Sequence, residues 1–244
     1  MSQILSRSGA VILAAGIAAA GWLIGNGFGN IRTADRYVTV KGVAERDVKA
    51  DVAIWPLRMV AAGDNLSQTQ DKIERDRRSI LDFLEANGIP ASATELQGLD
   101  VTDAMADRYR SGQPMANRFF INQTVMVRFD QPDVVMAASQ KVSDLVDAGV
   151  VLSGSGGGPG PYGSGPTFIF TRLNEIKPEM IAEATASARQ SAEQFAADSR
   201  SRIRGIRRAN QGVFVILPRD QAPGIMESSQ LHKKVRVVST IDYY

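Results

Sequence analysis

From Ser8 to Ile31 the chain runs for 24 residues without a charge, bounded by Arg7 and Arg32. As a helix rising about 1.5 Å per residue, such a run reaches roughly 36 Å, against a bilayer hydrocarbon core of about 30 Å. No polar face interrupts it, which disfavours a helix buried in a globular core. Trp22 and Phe28 stand toward its far end, where aromatic rings suit the membrane interface. The expectation is a transmembrane segment within residues 1–31, followed by a soluble domain over 32–244.

The triplet Ala18-Ala19-Ala20 has the small-residue character of a signal-peptidase site, but the apolar run continues through Gly21-Trp22-Leu23-Ile24. A retained signal-anchor is therefore the favoured reading over a cleaved signal peptide. Arg32, Arg36, Lys41 and Arg46 follow the span and Arg7 precedes it, so the flanking charges alone favour a cytoplasmic domain. Long domains cross largely regardless of flanking charge, and the short tail with its single arginine resembles a signal n-region. The domain is expected outside the cytoplasm. Gly21, Gly25 and Gly29 stand four apart, which aligns them on one helix face where two backbones approach closely in lipid. That face is the candidate for membrane-helix packing.

Beyond the segment, about 210 residues remain, enough for one large domain or two small ones with a core. The formal charge of +2 gives no field that points to nucleic acid. The chain has no cysteine and one histidine, His232, which excludes disulfides, thiolate nucleophiles and Cys/His metal sites.

Alternation predicts strands at Tyr37 to Val43 and Val48 to Val60, the second with Val52, Ile54, Leu57 and Met59 as its apolar positions and Pro56 marking an edge strand or a bulge. A helix follows from about Asn65 to Asn87, capped by Asp64 or Asn65 and stopped by Gly88. Leu66, Ile73, Ile80, Leu81 and Leu84 make its apolar stripe. Strands are expected at Leu96 to Thr102 and Phe119 to Phe129, then a helix opened by Pro132 and stopped at Gly149. Val135, Ala138, Val142, Leu145 and Val146 would face inward. Short strands at Val150 to Leu152 and Thr167 to Phe170 precede an alanine-rich helix from Pro178 to about Ile203. Val213 to Leu217 and Lys234 to Tyr243 close the chain as strands. Strand pairs separated by single helices predict an α+β fold, with one antiparallel or mixed sheet and helices packed on one face.

The chemistry-bearing patterns are few. Ser153 to Pro166 is a loop of Gly, Ser and Pro with one Tyr. Its string Gly158 to Gly163 satisfies GxGxxG, but the prolines remove amide donors and a strand follows where a phosphate site needs a helix. It reads as a surface loop or an interaction arm. Arg200, Arg202, Arg204, Arg207 and Arg208 are expected at the end of the third helix, where cations complement the dipole. They are also the candidate contact for an anionic partner, such as lipid head groups or an acidic neighbouring subunit. Any acid–base or triad chemistry would have to use His232, and Asp100 with Asp103 is the only carboxylate pairing of note. Neither makes a site, so no catalytic residue, cofactor, metal or small-molecule substrate is expected.

With these elements placed, residues 36 to 244 resemble the bacterial SIMPL-domain family. Val38-Thr39-Val40-Lys41-Gly42 followed by Lys49-Ala50-Asp51-Val52-Ala53 resembles that family's opening strand pair, with Ala50 where a proline is usual. Leu173 to Pro178 with Ala182-Glu183-Ala184 and Ala188-Arg189 resembles its long alanine-rich helix, and Val235 to Thr240 its closing strand. The resemblance implies an α+β domain of the cell envelope without established enzymatic activity. Some relatives form large ring- or channel-like homo-oligomers, and some are linked to oxidative-stress resistance. The Gly/Pro loop departs from the family pattern. The expectation is a single-pass inner-membrane protein whose periplasmic domain self-assembles as a structural or stress-protective module. The alternative is a module that captures an envelope ligand or partner through the loop at 153–166.

Overall fold

The computed structural model describes residues 9, 12–23, 37–106, 117–153 and 165–244. Residues 9 and 12–23 are helical and exposed. Among the described residues no helix is long and apolar enough to cross a membrane. The remainder of the expected span at 8–31, with Gly25 and Gly29, lies outside them.

The strands are β1 (Val38–Lys49), β2 (Val52–Gly63), β3 (Thr94–Asp103), β4 (Phe119–Phe129), β5 (Thr167–Ile169), β6 (Ile206–Gln211), β7 (Val215–Pro218) and β8 (His232–Tyr243). The helices are α1 (Leu66–Ala86), α2 (Pro132–Ser139), α3 (Ser143–Asp147) and α4 (Leu173–Asp198). The α+β class holds, but the single sheet does not. One sheet has the order β1-β8-β6 with β7 also on β8, and the other the order β3-β4-β2-β5. Strands adjacent in sequence often pair, yet β8 returns to β1 from the far end of the chain, and that choice splits the strands. The chain divides into two compact units, one comprising 1–45, 178–214 and 236–244, the other 46–177 and 215–235.

In the second unit β2 and β4 pair antiparallel from Ala53↔Phe129 to Gly63↔Phe119. The inward face carries Trp55, Leu57, Met59, Ile121, Val125 and Val127, all buried, with Ile73, Ile80 and Leu84 of α1 against them. Spacings of seven and four place those three helix residues on one face. Asn65 is the N-cap, its side chain accepting from the Gln68 N–H at 3.2 Å, and Gly88 ends the helix at φ 84°. Leu66, expected in the stripe, is exposed, because it begins the helix beyond the sheet.

Two local expectations change, and one is made definite. The start of β2 is apolar on both parities, and it is Ala53 and Trp55 that are buried, with Val52 and Ile54 half-buried. Pro56 lies in an inner strand. The amide of Val60 donates to Val151 on the β5 side, so even-numbered β2 residues point their amides that way. Proline's missing donor therefore falls between the β5 pairing at Val52–Ile54 and the Met59↔Leu152 bridge, where no ladder partner is needed. The helix expected from Pro132 to Gly149 is two short ones, α2 and α3, with Val135, Ala138 and Leu145 buried and Val146 exposed. The break at 140–142 turns Val146 outward.

In the first unit β6 pairs β8 antiparallel, Ile206↔Tyr243 to Gln211↔Ser239. α4 buries Met180, Ala184, Ala188, Ala192 and Ala196, each four residues after the last. Its alanines admit β1 to backbone contact: a β-carbon on Gly42 would stand 1.9 Å from the Ala184 carbonyl oxygen and 2.4 Å from the Ala188 nitrogen. Ala188 and Ala192 pack with Ile241 and Tyr243, flanked by Val38, Val40 and Ile203. The helix begins one turn before Pro178 and stops at Asp198, short of the expected Ile203, because Arg200 takes a left-handed φ of 52°.

Candidate functional site: two exposed strand edges

β3 is the edge of its sheet, paired only with β4 among the described residues. Leu96 lies opposite Val125 and Val101 opposite Ile121. Directly paired residues share a face, and Val125 and Ile121 are fully buried under α1. That helix covers β2 and β4 and stops short of β3, so Leu96 stays 43% and Val101 47% exposed on the same apolar face. A bulge between Gln97 and Asp100, with Gly98 at φ 58°, turns Leu99 out to 57% exposure. The strand carries Glu95, Asp100 and Asp103 and no cation.

Asp103 and Asp100 do not form a carboxylate pair. Three residues apart on a regular stretch, they point to opposite faces, and Asp103 is taken by Arg118. The guanidinium donates to it at 2.8 and 3.2 Å and lies 4.8 Å over the Phe119 ring. The Arg118 hydrogen bond, with the Met105 amide, holds the Asp103 carboxyl below its ordinary pKa and raises that of Arg118. Ala104 N–H donates to the Arg118 carbonyl at 2.8 Å and Arg118 N–H to Asp64 at 3.2 Å, closing the stem of the β3–β4 hairpin.

β6 is an edge of the other sheet, opposite β1, and all six of its residues are exposed. The five arginines expected at a helix C-terminus lie instead in the turn after α4 (Arg200), in extended chain (Arg202, Arg204) and on β6 itself (Arg207, Arg208). Arg200 alone stays at the α4 C-terminus, where its amide donates to the Ala197 carbonyl at 3.2 Å, while Arg207 and Arg208 charge a strand edge. Arg204 N–H donates to the Tyr244 carbonyl at 2.7 Å and Tyr244 N–H to Gly205 at 3.3 Å, which continues the pairing with the end of the chain. Arg207 stacks 4.6 Å over the Tyr37 ring. Ile206 is 48% exposed between the arginines.

The other candidates are dispersed. His232 opens β8 with its side chain exposed. Gly21 has open space where a β-carbon would stand. Of the Gly/Pro loop, only Ser153, Gly165 and Pro166 are described, and Ser153 is held by its amide to Arg58 at 2.8 Å. Among the described residues no three His, Cys, Asp or Glu side chains gather as metal ligands.

Two polar groups, Asp51 half-buried and Lys233 buried, were not foreseen. Asp51 accepts from the Thr171 amide at 2.8 Å and hydroxyl at 2.7 Å, with Arg172 at 3.3 Å. Burial pushes its carboxyl upward, but the Thr171 bonds, its own amide and Arg172 outweigh that and hold it below the ordinary value. Lys233 is fully buried and donates to the carbonyl of Glu227 at 2.6 Å and to its carboxylate. Both fix chain connections: Asp51 ties the start of β2 to the entry of α4, and Lys233 ties β8 to the turn at Glu227–Ser229.

Residues 38–237 match the family model SIMPL, described as a protein of unknown function (DUF541). No curated protein matches the chain.

Proposed function

The chain belongs to the SIMPL family, and from that premise we propose that it is a membrane-tethered envelope protein that works by self-assembly. The observation that carries the reading is the pair of exposed strand edges. Unpaired edges with apolar side chains invite another strand, and the bulges at 97–100 and 206–208 together with the edge charges restrict which strand can add. β3 is ten residues long and exposes Leu96, Leu99 and Val101. β6 also lies open along its length.

The uncharged run at 8–31 supplies the tether in this reading, with the domain in the periplasm. The motif residues Gly42 and Asp51 serve packing and chain connection, consistent with a role as scaffold. Size-exclusion chromatography with light scattering on the full chain in detergent tests the proposal. A protein mass at a multiple of 26.3 kDa supports it, and monomer at every concentration removes it.

A further inference from the structure

We infer that the partner of the acidic edge β3 is the basic edge β6 of a second copy of this chain. The inference rests on the self-assembly reading and names its interface.

Self-pairing of β3 is disfavoured by charge. The strand carries three carboxylates and no cation, so two copies side by side set like charges across the new ladder. Self-pairing of β6 fails for the same reason: residues 200–211 hold five arginines and no acid. One edge against the other removes both conflicts. Glu95 and Asp100 of one copy then face Arg204 and Arg208 of the next, and all four are exposed. Ile206, 48% exposed, lies between the two arginines on that edge.

Each copy carries one edge of each kind, so the contact is head-to-tail. Where the contact is one-way, each dimer keeps an unused acidic edge and an unused basic edge and assembly continues to rings or filaments; where two copies exchange edges reciprocally, a closed dimer results. Charge complementarity also sets partner choice and makes association sensitive to salt.

The test uses two variants of the full chain in detergent, followed by sedimentation velocity. Glu95→Lys/Asp100→Lys sets cations against cations at the facing positions, and Arg204→Glu/Arg208→Glu sets carboxylates against carboxylates there. Each alone is expected to lose association by about a hundredfold or more. Mixed in equal amounts they co-assemble, since each supplies the edge the other lacks. Two variants that fail alone and stay monomeric together overturn the pairing. Variants that assemble like the unaltered chain overturn the interface while self-assembly stands, whereas a monomeric unaltered chain removes both. Circular dichroism confirms that each variant is folded. Where one is not, a salt titration of the unaltered chain decides: raising sodium chloride from about 50 mM to about 500 mM dissociates an edge-paired oligomer, and indifference to salt refutes it.

Discussion

Replacing Gly42 by alanine adds one carbon where β1 lies on the backbone of α4. That carbon would stand 1.9 Å from the Ala184 oxygen, 2.4 Å from the Ala188 nitrogen and 2.8 Å from the Ala188 β-carbon. Non-bonded heavy atoms rest about 3.5 Å apart, so strand and helix must separate by roughly 1.5 Å. A gap of about 1 Å already forfeits up to half of a contact's dispersion energy. Ala184, Ala188 and Ala192 are wholly buried along that row. At about 0.8 kcal/mol per buried methyl-sized group, loosening them costs about 1–2 kcal/mol, and overpacking strain adds about 1–3 kcal/mol. The entropy that alanine removes from the unfolded chain returns only about 0.4–1 kcal/mol. The clash wins, with a net loss of about 3 kcal/mol. At about 2–4 °C per kcal/mol, the midpoint should fall by about 6–12 °C. Thermal unfolding of the full chain by circular dichroism reads this directly. Gly98→Ala is the control: it meets nothing within 4 Å but must hold φ 58°, a cost of about 1–2 kcal/mol. A Gly42→Ala midpoint equal to the unaltered chain, or above that of Gly98→Ala, would refute the reasoning.

Two further predictions concern Asp51 and Lys233. Because the Asp51 carboxyl titrates below its unfolded value, its contribution is present above about pH 4 and is lost as pH falls through the folded value. The midpoint of the unaltered chain should drop more steeply between pH 5 and pH 3 than that of Asp51→Asn; parallel profiles would contradict the clamp. Glu227→Ala strands the Lys233 ammonium in the core and should cost about 3 kcal/mol in chemical denaturation, whereas Lys233→Met replaces the charge with packing and should cost less. The reverse order would show that the ion pair itself stabilises the turn.

The elements with one clear pattern were legible. β4 reads directly from Phe119 to Phe129, because Ile121, Val125 and Val127 alternate with polar residues. α1 is fixed at both ends by Asn65 and Gly88. What failed or stayed open was set by partners distant in sequence. Val52 to Trp55 is apolar throughout, so only pairing with β4 decides which residues face inward. β6 has Ile206 as its one large apolar side chain and reads as the tail of a helix; its ladder with β8 makes it a strand. Lys233 carries a charge into the core because Glu227 meets it there, and no local rule announces such a pair. For the candidate site, the five arginines were visible as a charged run. That they lie along an edge, and that an acidic edge answers them, required both sheets.

The absence of cysteine from the chain makes the edge pairing open to direct chemical test. Gln97 on β3 and Ile206 on β6 are uncharged and exposed and lie opposite each other when Glu95 and Asp100 face Arg204 and Arg208, so Gln97→Cys and Ile206→Cys leave every charge in place. Full chain carrying both substitutions, treated with a short bis-maleimide in detergent and run on a denaturing gel, should give covalent dimers, extending to a ladder where the contact is one-way. Either substitution alone should give monomer. A double variant that stays monomeric, or a single variant that cross-links as well as the double, would contradict assembly through the acidic and basic edges.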